Sequence, residues 1–420
     1  MLETSAFVFA TDLAGEGVET VLDNLEQRAG LGGVMPAFAY HAARDVFPRN
    51  PAHRVVLHER GALFFPPEPA LYEGGLVQPA VSALALERDV LGETCRAAAA
   101  RGLSVHAWTV FLHADRPGEY LSCSPRNAFG DLYEGDFCPA NPDVRTYARA
   151  LAADVCRYEI ETILAESLHY HGLEHGYHHE RYLISLGPVT RFLLGLCFCE
   201  HCLAAARRCG VDAARVHEAV RAELELALAE GGEAGPTDGP TRESLAVIAD
   251  GELLGYLDAR AETVSSLAAE VAAEVDARGR RLVFLDLAGA VKGYVTGRPT
   301  GGPAADISWR LGIDVGEVAR SCHGYEAVGY AAEPERLRLD IDAYRAVIGE
   351  QCALGVCVRP SPPDCEDAAN LAEKVSLARS LGVTRMDFYH YGFLRLSALD
   401  WIGAALDPTA SSSGGDRARD

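Results

Sequence analysis

The apolar run ETILAESLHY delivers a carboxylate, Glu166, at its end. A carboxyl group presented by the end of a buried strand is what general acid catalysis needs, although a salt-bridged structural Glu would read the same way. Downstream, CFCEHC sets Cys197, Cys199 and Cys202 in a C-x-C-x2-C spacing. Three thiols so spaced can close around one zinc ion, which takes four ligands in tetrahedral geometry when its role is structural. Cys138, in FCPANPDVR, is the first choice for the fourth, with His201 and Cys209 as rivals and a set of unligated thiols as the alternative. Between these motifs, ESLHYHGLEHGYHHER crowds His169, His171, His175, His178 and His179 with Tyr170, Tyr177 and Glu180. Histidine serves as acid, base or ligand near neutral pH, so the segment suits substrate hydrogen bonding or a second metal. Its spacing is not HExxH, and an exposed polar loop would account for it equally. His169 and Tyr170, a few residues beyond Glu166, are the expected cleft residues of this segment.

Positioning such groups requires a scaffold. Short β-rich runs alternate with helical stretches along the chain, the pattern of a parallel sheet with helical crossovers. Eight strands are predicted, near Ala6–Ala10, Val34–Tyr40, Ser104–Phe111, Glu159–Glu166, Leu282–Leu287, Tyr325–Ala331, Leu354–Arg359 and Arg385–His390. Several are continuous apolar runs, as strands buried on both faces require. Helices are predicted over Val18–Arg28, Asp89–Arg101, Val144–Tyr158, Ala213–Ala229 and Glu252–Arg278. The expected fold is therefore α/β, a (β/α)8 TIM barrel. Long insertions at residues 44–88, 112–143 and 167–212 all follow strands and belong on the C-terminal face, where barrel active sites are built. Trp108 and His113, Tyr40 and His41, and Asp387, Tyr389, His390 and Tyr391 stand at strand ends. Aromatic faces and hydroxyl-binding polar groups together suit a carbohydrate subsite, though only alternate strand residues point inward. Residues 1–406 are expected to form one domain of catalytic type, and 407–420 a disordered tail.

The 420 residues carry a formal net charge of −22 and are 49% hydrophobic. A large core is available, and nucleic acid and anionic membranes are disfavoured as partners because both demand cations. A small molecule or oligosaccharide is the expected substrate, and a homo-oligomer is left open. Neither a basic leader nor a long apolar run is evident, so the chain is expected to be cytoplasmic and its twelve cysteines free or metal-bound.

Residues 104–205 bear a resemblance. VHAWTVF, CPANPDVRTY, a Glu ending strand four and LCFCEHC together resemble the glycoside-hydrolase barrels of the clan that includes the trimeric β-galactosidases and related uncharacterised glycosyl hydrolases. The resemblance implies that Glu166 is the acid/base and that Cys138, Cys197, Cys199 and Cys202 hold zinc. The chain departs from that clan in having Ala165 where Asn precedes the Glu. It also has Arg359, in GVCVRPSPPD, where strand seven ends in a nucleophilic Glu. Asp286 (LVFLDLAG) and Glu333 (VGYAAEPE) are the candidates for a second carboxylate, with Trp108, His169, Tyr170, Arg359, Asp387, Tyr389 and His390 as candidate substrate contacts. The leading expectation is a carbohydrate hydrolase. The alternatives are a metal-dependent barrel lyase or isomerase using the histidines, and a sugar-binding barrel without catalysis.

Overall fold

The computed structural model describes residues 2–173, 181–230 and 239–407. Eight parallel strands form a closed barrel: β1 (Glu3–Val8), β2 (Gly33–Tyr40), β3 (Ser104–Val110), β4 (Thr162–Glu166), β5 (Arg281–Asp286), β6 (Gly324–Val328), β7 (Ala353–Val358) and β8 (Arg385–Phe388). Each pairs with the next, and β1 pairs with both β2 and β8, so the sheet has no break. All eight lie where the sequence predicts them. Every residue of β2 is buried, because a barrel strand has side chains on one face and helices on the other. The helices Val90–Arg101, Pro142–Val155, Ala213–Glu230 and Glu252–Asp276 match the predicted ones. The helix predicted over Val18–Arg28 widens after Asp23 into a looser turn, Asn24–Arg28.

Inside the barrel the strands stack their inward side chains in layers. The lower layer is polar. Ser5 Oγ donates to Asp387 Oδ1 at 2.5 Å, and Arg385 pairs with Asp387 and lies 3.5 Å from Glu326. His106 Nδ1 sits 2.5 Å from Thr162 Oγ1 and 3.2 Å from an Arg385 nitrogen. Farther along β1, β3 and β8 the layer becomes aromatic. Phe7 meets Trp108 and Tyr389 at ring distances of 5.1 and 5.3 Å. Glu166, two residues beyond Leu164 on the inward face of β4, stands at the next level.

The insertion at residues 44–88 builds an antiparallel hairpin, Arg44–Val46 with Val55–Leu57, and extends the β2 edge with Ala62–Leu63 and Ala80–Val81. Strand alternation turns the cross-strand pair Asp45 and Val56 inward, while Arg44, Val46, Val55 and Leu57 are exposed. His175, Tyr177, His178, His179 and Glu180, and residues 408–420 of the tail, lie outside the described residues. Among those described, no helix is long and apolar enough to cross a membrane.

Candidate active site and metal centre

Glu166 lies opposite Val110 across the β3–β4 ladder, and Trp108 Nε1 donates to its Oε2 at 2.5 Å. Burial pushes the Glu166 carboxyl up to about 7, and the indole hydrogen bond restrains the rise. Tyr40 and Tyr389 share a hydroxyl hydrogen bond beside it, with the Tyr40 ring 4.8 Å and the Tyr389 ring 6.0 Å from Trp108. Burial raises the phenols of Tyr40, Tyr389 and Tyr294, and the charges of both Glu166 and Asp45 add to the rise at all three. The aromatic floor, three tyrosines and a half-neutral carboxyl therefore occupy one region at the C-terminal end of the barrel.

Asp45 has no counterpart among the residues singled out from sequence. Its Oδ2 lies 3.0 Å from Nε2 of His58, which is fully buried. The His58 ring packs 4.3 Å from Phe9 and 5.4 Å from Tyr40. The only sequence signal was the inward parity of a short hairpin inside a proline-rich insertion.

Strand seven ends in a cation. Arg359 pairs with buried Asp364, donates to the Tyr294 carbonyl at 2.9 Å and stacks over the Tyr330 ring at 4.2 Å. Other predicted site residues go elsewhere. Asp286 is fully buried and accepts from Ser308 Oγ at 2.6 Å, Tyr325 OH at 2.6 Å, Tyr344 OH at 3.0 Å and the Ala288 amide at 2.8 Å. Tyr344 belongs to the outer helix Pro334–Ile348, so Asp286 points out of the barrel and is not brought to Glu166. Glu333 precedes that helix at the surface, 65% exposed and 3.7 Å from Arg298. Asp387 lies in the polar layer beneath the aromatic one. His390 is buried behind Phe9, at a ring distance of 3.9 Å, and accepts from the Gly392 amide through Nδ1. Tyr170 leaves the mouth altogether: its hydroxyl is 3.3 Å from Cys202 Sγ, and Arg260 covers its ring at 4.4 Å. Of the predicted substrate contacts, Trp108 and Tyr389 accompany Glu166, with Arg359 at their edge.

His169 sits with His171, His113 and His41 in a row of rings 5.2, 5.4 and 4.3 Å apart. Burial holds His169 down to about 4 and His171 to about 3, so both are neutral at physiological pH. His169 Nδ1 faces the Tyr170 carbonyl at 2.8 Å, and His171 Nδ1 lies 2.9 Å from Asp136.

Among the described residues, one group brings ligand atoms to a common point: the sulfurs of Cys138, Cys197, Cys199 and Cys202, all within 4.8 Å of one another and all buried. Cys138 Sγ lies 3.4 Å from that of Cys202, 3.6 Å from Cys199 and 3.9 Å from Cys197. Zinc–sulfur bonds of about 2.3 Å in a tetrahedron separate the sulfurs by roughly 3.8 Å, so the group has the size and donor type of a metal site. Asn141 caps the helix Pro142–Val155 and thereby fixes the turn carrying Cys138. Cys199 stands at the N-terminal end of the helix Glu200–Arg208, whose positive end favours a thiolate. The rivals stand apart: Cys209 is exposed and bonded to Glu262, and His201 lies against Glu200.

No protein-family model and no curated protein matches the chain. Among solved structures, it is similar to a β-galactosidase from the psychrophilic Marinomonas ef1. The TM-score is 0.54 at 12% identity, over 99% of this chain and 61% of that one. It is also similar to the catalytic domain of a β-amylase from Paenibacillus polymyxa, with a TM-score of 0.53 at 10% identity, over 97% and 99% of the two chains. The likeness is that of a shared (β/α)8 barrel fold. The chain spans about three-fifths of the β-galactosidase's length, and at these identities the likeness is one of architecture.

Proposed function

We propose that the protein is a glycoside hydrolase in which Glu166 protonates the leaving oxygen. The observation that carries this reading is the Glu166 carboxyl itself, at a strand end above an aromatic floor and raised to about 7. A general acid is most effective when it is protonated at the working pH yet able to lose its proton. Half-buried Tyr389, packed over the buried Trp108, supplies a face on which a sugar ring can stack, and its hydroxyl, bonded to that of Tyr40, supplies a polar partner. The solved structures of similar fold are carbohydrate-active, which supports a neutral sugar or oligosaccharide substrate, as does the net charge of −22.

The four cysteines would hold a structural zinc, because all four tetrahedral positions are filled by protein sulfur and none is left open for a substrate. Residues 1–406 would form one catalytic domain. The twelve unpaired cysteines suit a reducing, cytoplasmic setting. Hydrolysis of a panel of aryl glycosides and oligosaccharides by the wild type and by Glu166→Gln tests the acid. Turnover lowered by roughly 10²-fold or more in the variant is expected. Full activity in the variant on a confirmed substrate refutes the assignment.

A further inference from the structure

We propose that the polar layer at the foot of the barrel is a proton latch, in which Glu326 stands as a neutral carboxylic acid at physiological pH and loosens the barrel when it loses its proton. The device lies apart from Glu166 and holds whatever that site does.

Two carboxyl groups reach one cation. Arg385 Nε pairs with Asp387 Oδ2 and lies 3.5 Å from Glu326 Oε2, so both acids meet the same nitrogen. Asp387, Glu326 and Arg385 are all buried. The other elements around the layer bring no second buried cation. From β1 come the Ser5 hydroxyl and, at the rim, Glu3, whose carboxylate is 3.8 Å from Arg385 Nη1. From β3 comes His106, which burial and two nearby guanidinium groups keep neutral. From β4 comes the Thr162 hydroxyl, 3.4 Å from Arg385 Nη1. The residues of β2 and β7 that face the layer are Gly33, against His106, and Gly355, against Glu326. Cys357 of β7 is buried, and burial keeps its thiol protonated. Arg281, at the start of β5, is half-exposed and paired with Glu3 and Glu161 at 3.5 and 3.3 Å. One buried positive charge therefore faces two buried carboxyl groups.

A second negative charge buried there without a cation of its own costs more than retaining a proton, so one acid stays neutral. The hydrogen bonds say which. Asp387 accepts from Ser5 Oγ at 2.5 Å and from Arg385, and both donors favour its ionised form. Neither oxygen of Glu326 receives a hydrogen bond from a described residue. As an acid it has Asp387 beside it as an acceptor, and burial, then the Asp387 charge, hold it well above the usual carboxylate range. Through Arg385 and Asp387 the layer joins β1, β3, β4, β6 and β8, and an ionised Glu326 sets its charge at the centre of those joints. The sign of the pH dependence follows. The unfolded chain releases this proton near 4.5 and the folded chain keeps it to higher pH, so stability falls as pH rises through that interval.

The test uses the full chain carrying Glu166→Gln, which silences the acid at the mouth, and the same chain with Glu326→Gln added. At neutral pH the parent is expected to show the infrared carbonyl stretch of a neutral carboxylic acid, shifted by isotope-labelled glutamate, and Glu326→Gln is expected to lose it. Asp387→Asn leaves Arg385 wholly to Glu326, so the band should vanish there with Glu326 still present. In denaturant titration Glu326→Gln should match the parent near pH 4.5 and then gain on it, the ratio of unfolding constants growing about tenfold per pH unit until the folded Glu326 ionises. A parent without a glutamate-derived acid band overturns the proposal, as does a parent that gains on Glu326→Gln with rising pH, because Glu326 would then be an ionised partner of Arg385. A band that survives Asp387→Asn overturns the shared cation. If neither layer variant folds, the labelled band in the parent decides alone.

Discussion

Replacing Glu166 by Gln separates a catalytic acid from a structural one through stability as well as through rate. The carboxyl is raised from its ordinary 4.5 to about 7, chiefly by burial. At about 1.4 kcal/mol per pH unit, the ionised form is disfavoured in the folded state by about 3 kcal/mol. The sign follows from proton binding. Between pH 4.5 and 7 the folded chain holds a proton that the unfolded chain has lost, so stability falls as pH rises through that window and then levels off. Gln keeps an oxygen for the Trp108 indole and never ionises. The variant should match the wild type near pH 4 and exceed it by about 3 kcal/mol at pH 8. With about 2.1 cal/mol/K of unfolding entropy per residue over 420 residues, that gain is roughly 3–4 °C in Tm. Scanning calorimetry at pH 4.5, 6 and 8 reads the difference, alongside the loss of turnover. A variant less stable than the wild type at pH 8 would refute the reasoning, because it would show Glu166 to be a carboxylate held in ionised form by unseen partners.

Trp108→Phe removes the hydrogen bond that lowers the Glu166 carboxyl, so the alkaline limb of the kcat/KM profile should move to higher pH; a limb moved to lower pH contradicts the geometry. Cys197→Ser together with Cys199→Ser should abolish bound zinc, measured by elemental analysis against about one ion per wild-type chain, and should lower Tm; zinc retained in the double variant excludes the cluster. Asp286→Ala takes the shared acceptor from the buried hydroxyls of Tyr325, Tyr344 and Ser308, of which Ser308 keeps the Ala304 carbonyl, and should cost about 3 kcal/mol of stability in denaturant titration, whereas a catalytic Asp286 would lose rate with little change in stability. Glu333→Gln should change stability by less than about 1 kcal/mol and leave turnover intact, as expected for an exposed ion pair.

The barrel is legible in the sequence because its strands are runs such as GVMPAFAY, buried on both faces and cut off by turn residues. Glu166 and the cysteine cluster are legible because one ends such a run and three of the other's four thiols, Cys197, Cys199 and Cys202, are close in sequence. Asp286 shows the limit of that reading. It also ends a strand, yet the two-residue period of the strand sets its side chain toward Tyr344 and the helices, and no apolar pattern announces which parity faces in. Tyr170 fails for a different reason. Ser167, next to Glu166, takes a left-handed backbone with φ 57°, and the chain turns there from the mouth toward Cys202. Asp45 was invisible because its hairpin has three-residue strands in a segment read only as a loop.

The cation ending strand seven constrains how this barrel can change. Arg359 is the counter-ion of Asp364, whose side chain is 1% exposed. A codon change restoring a carboxylate at position 359 would strand one buried negative charge and set a second beside it, at a cost of about 3–5 kcal/mol. The descendant would give up a large share of its stability before it could be selected for a new nucleophile. Asp364 would have to become neutral first, and that step alone takes away the ion-pair partner of Arg359. The two positions are locked to each other epistatically, so a lineage carrying this pair is held away from the two-glutamate arrangement by stability rather than by chemistry.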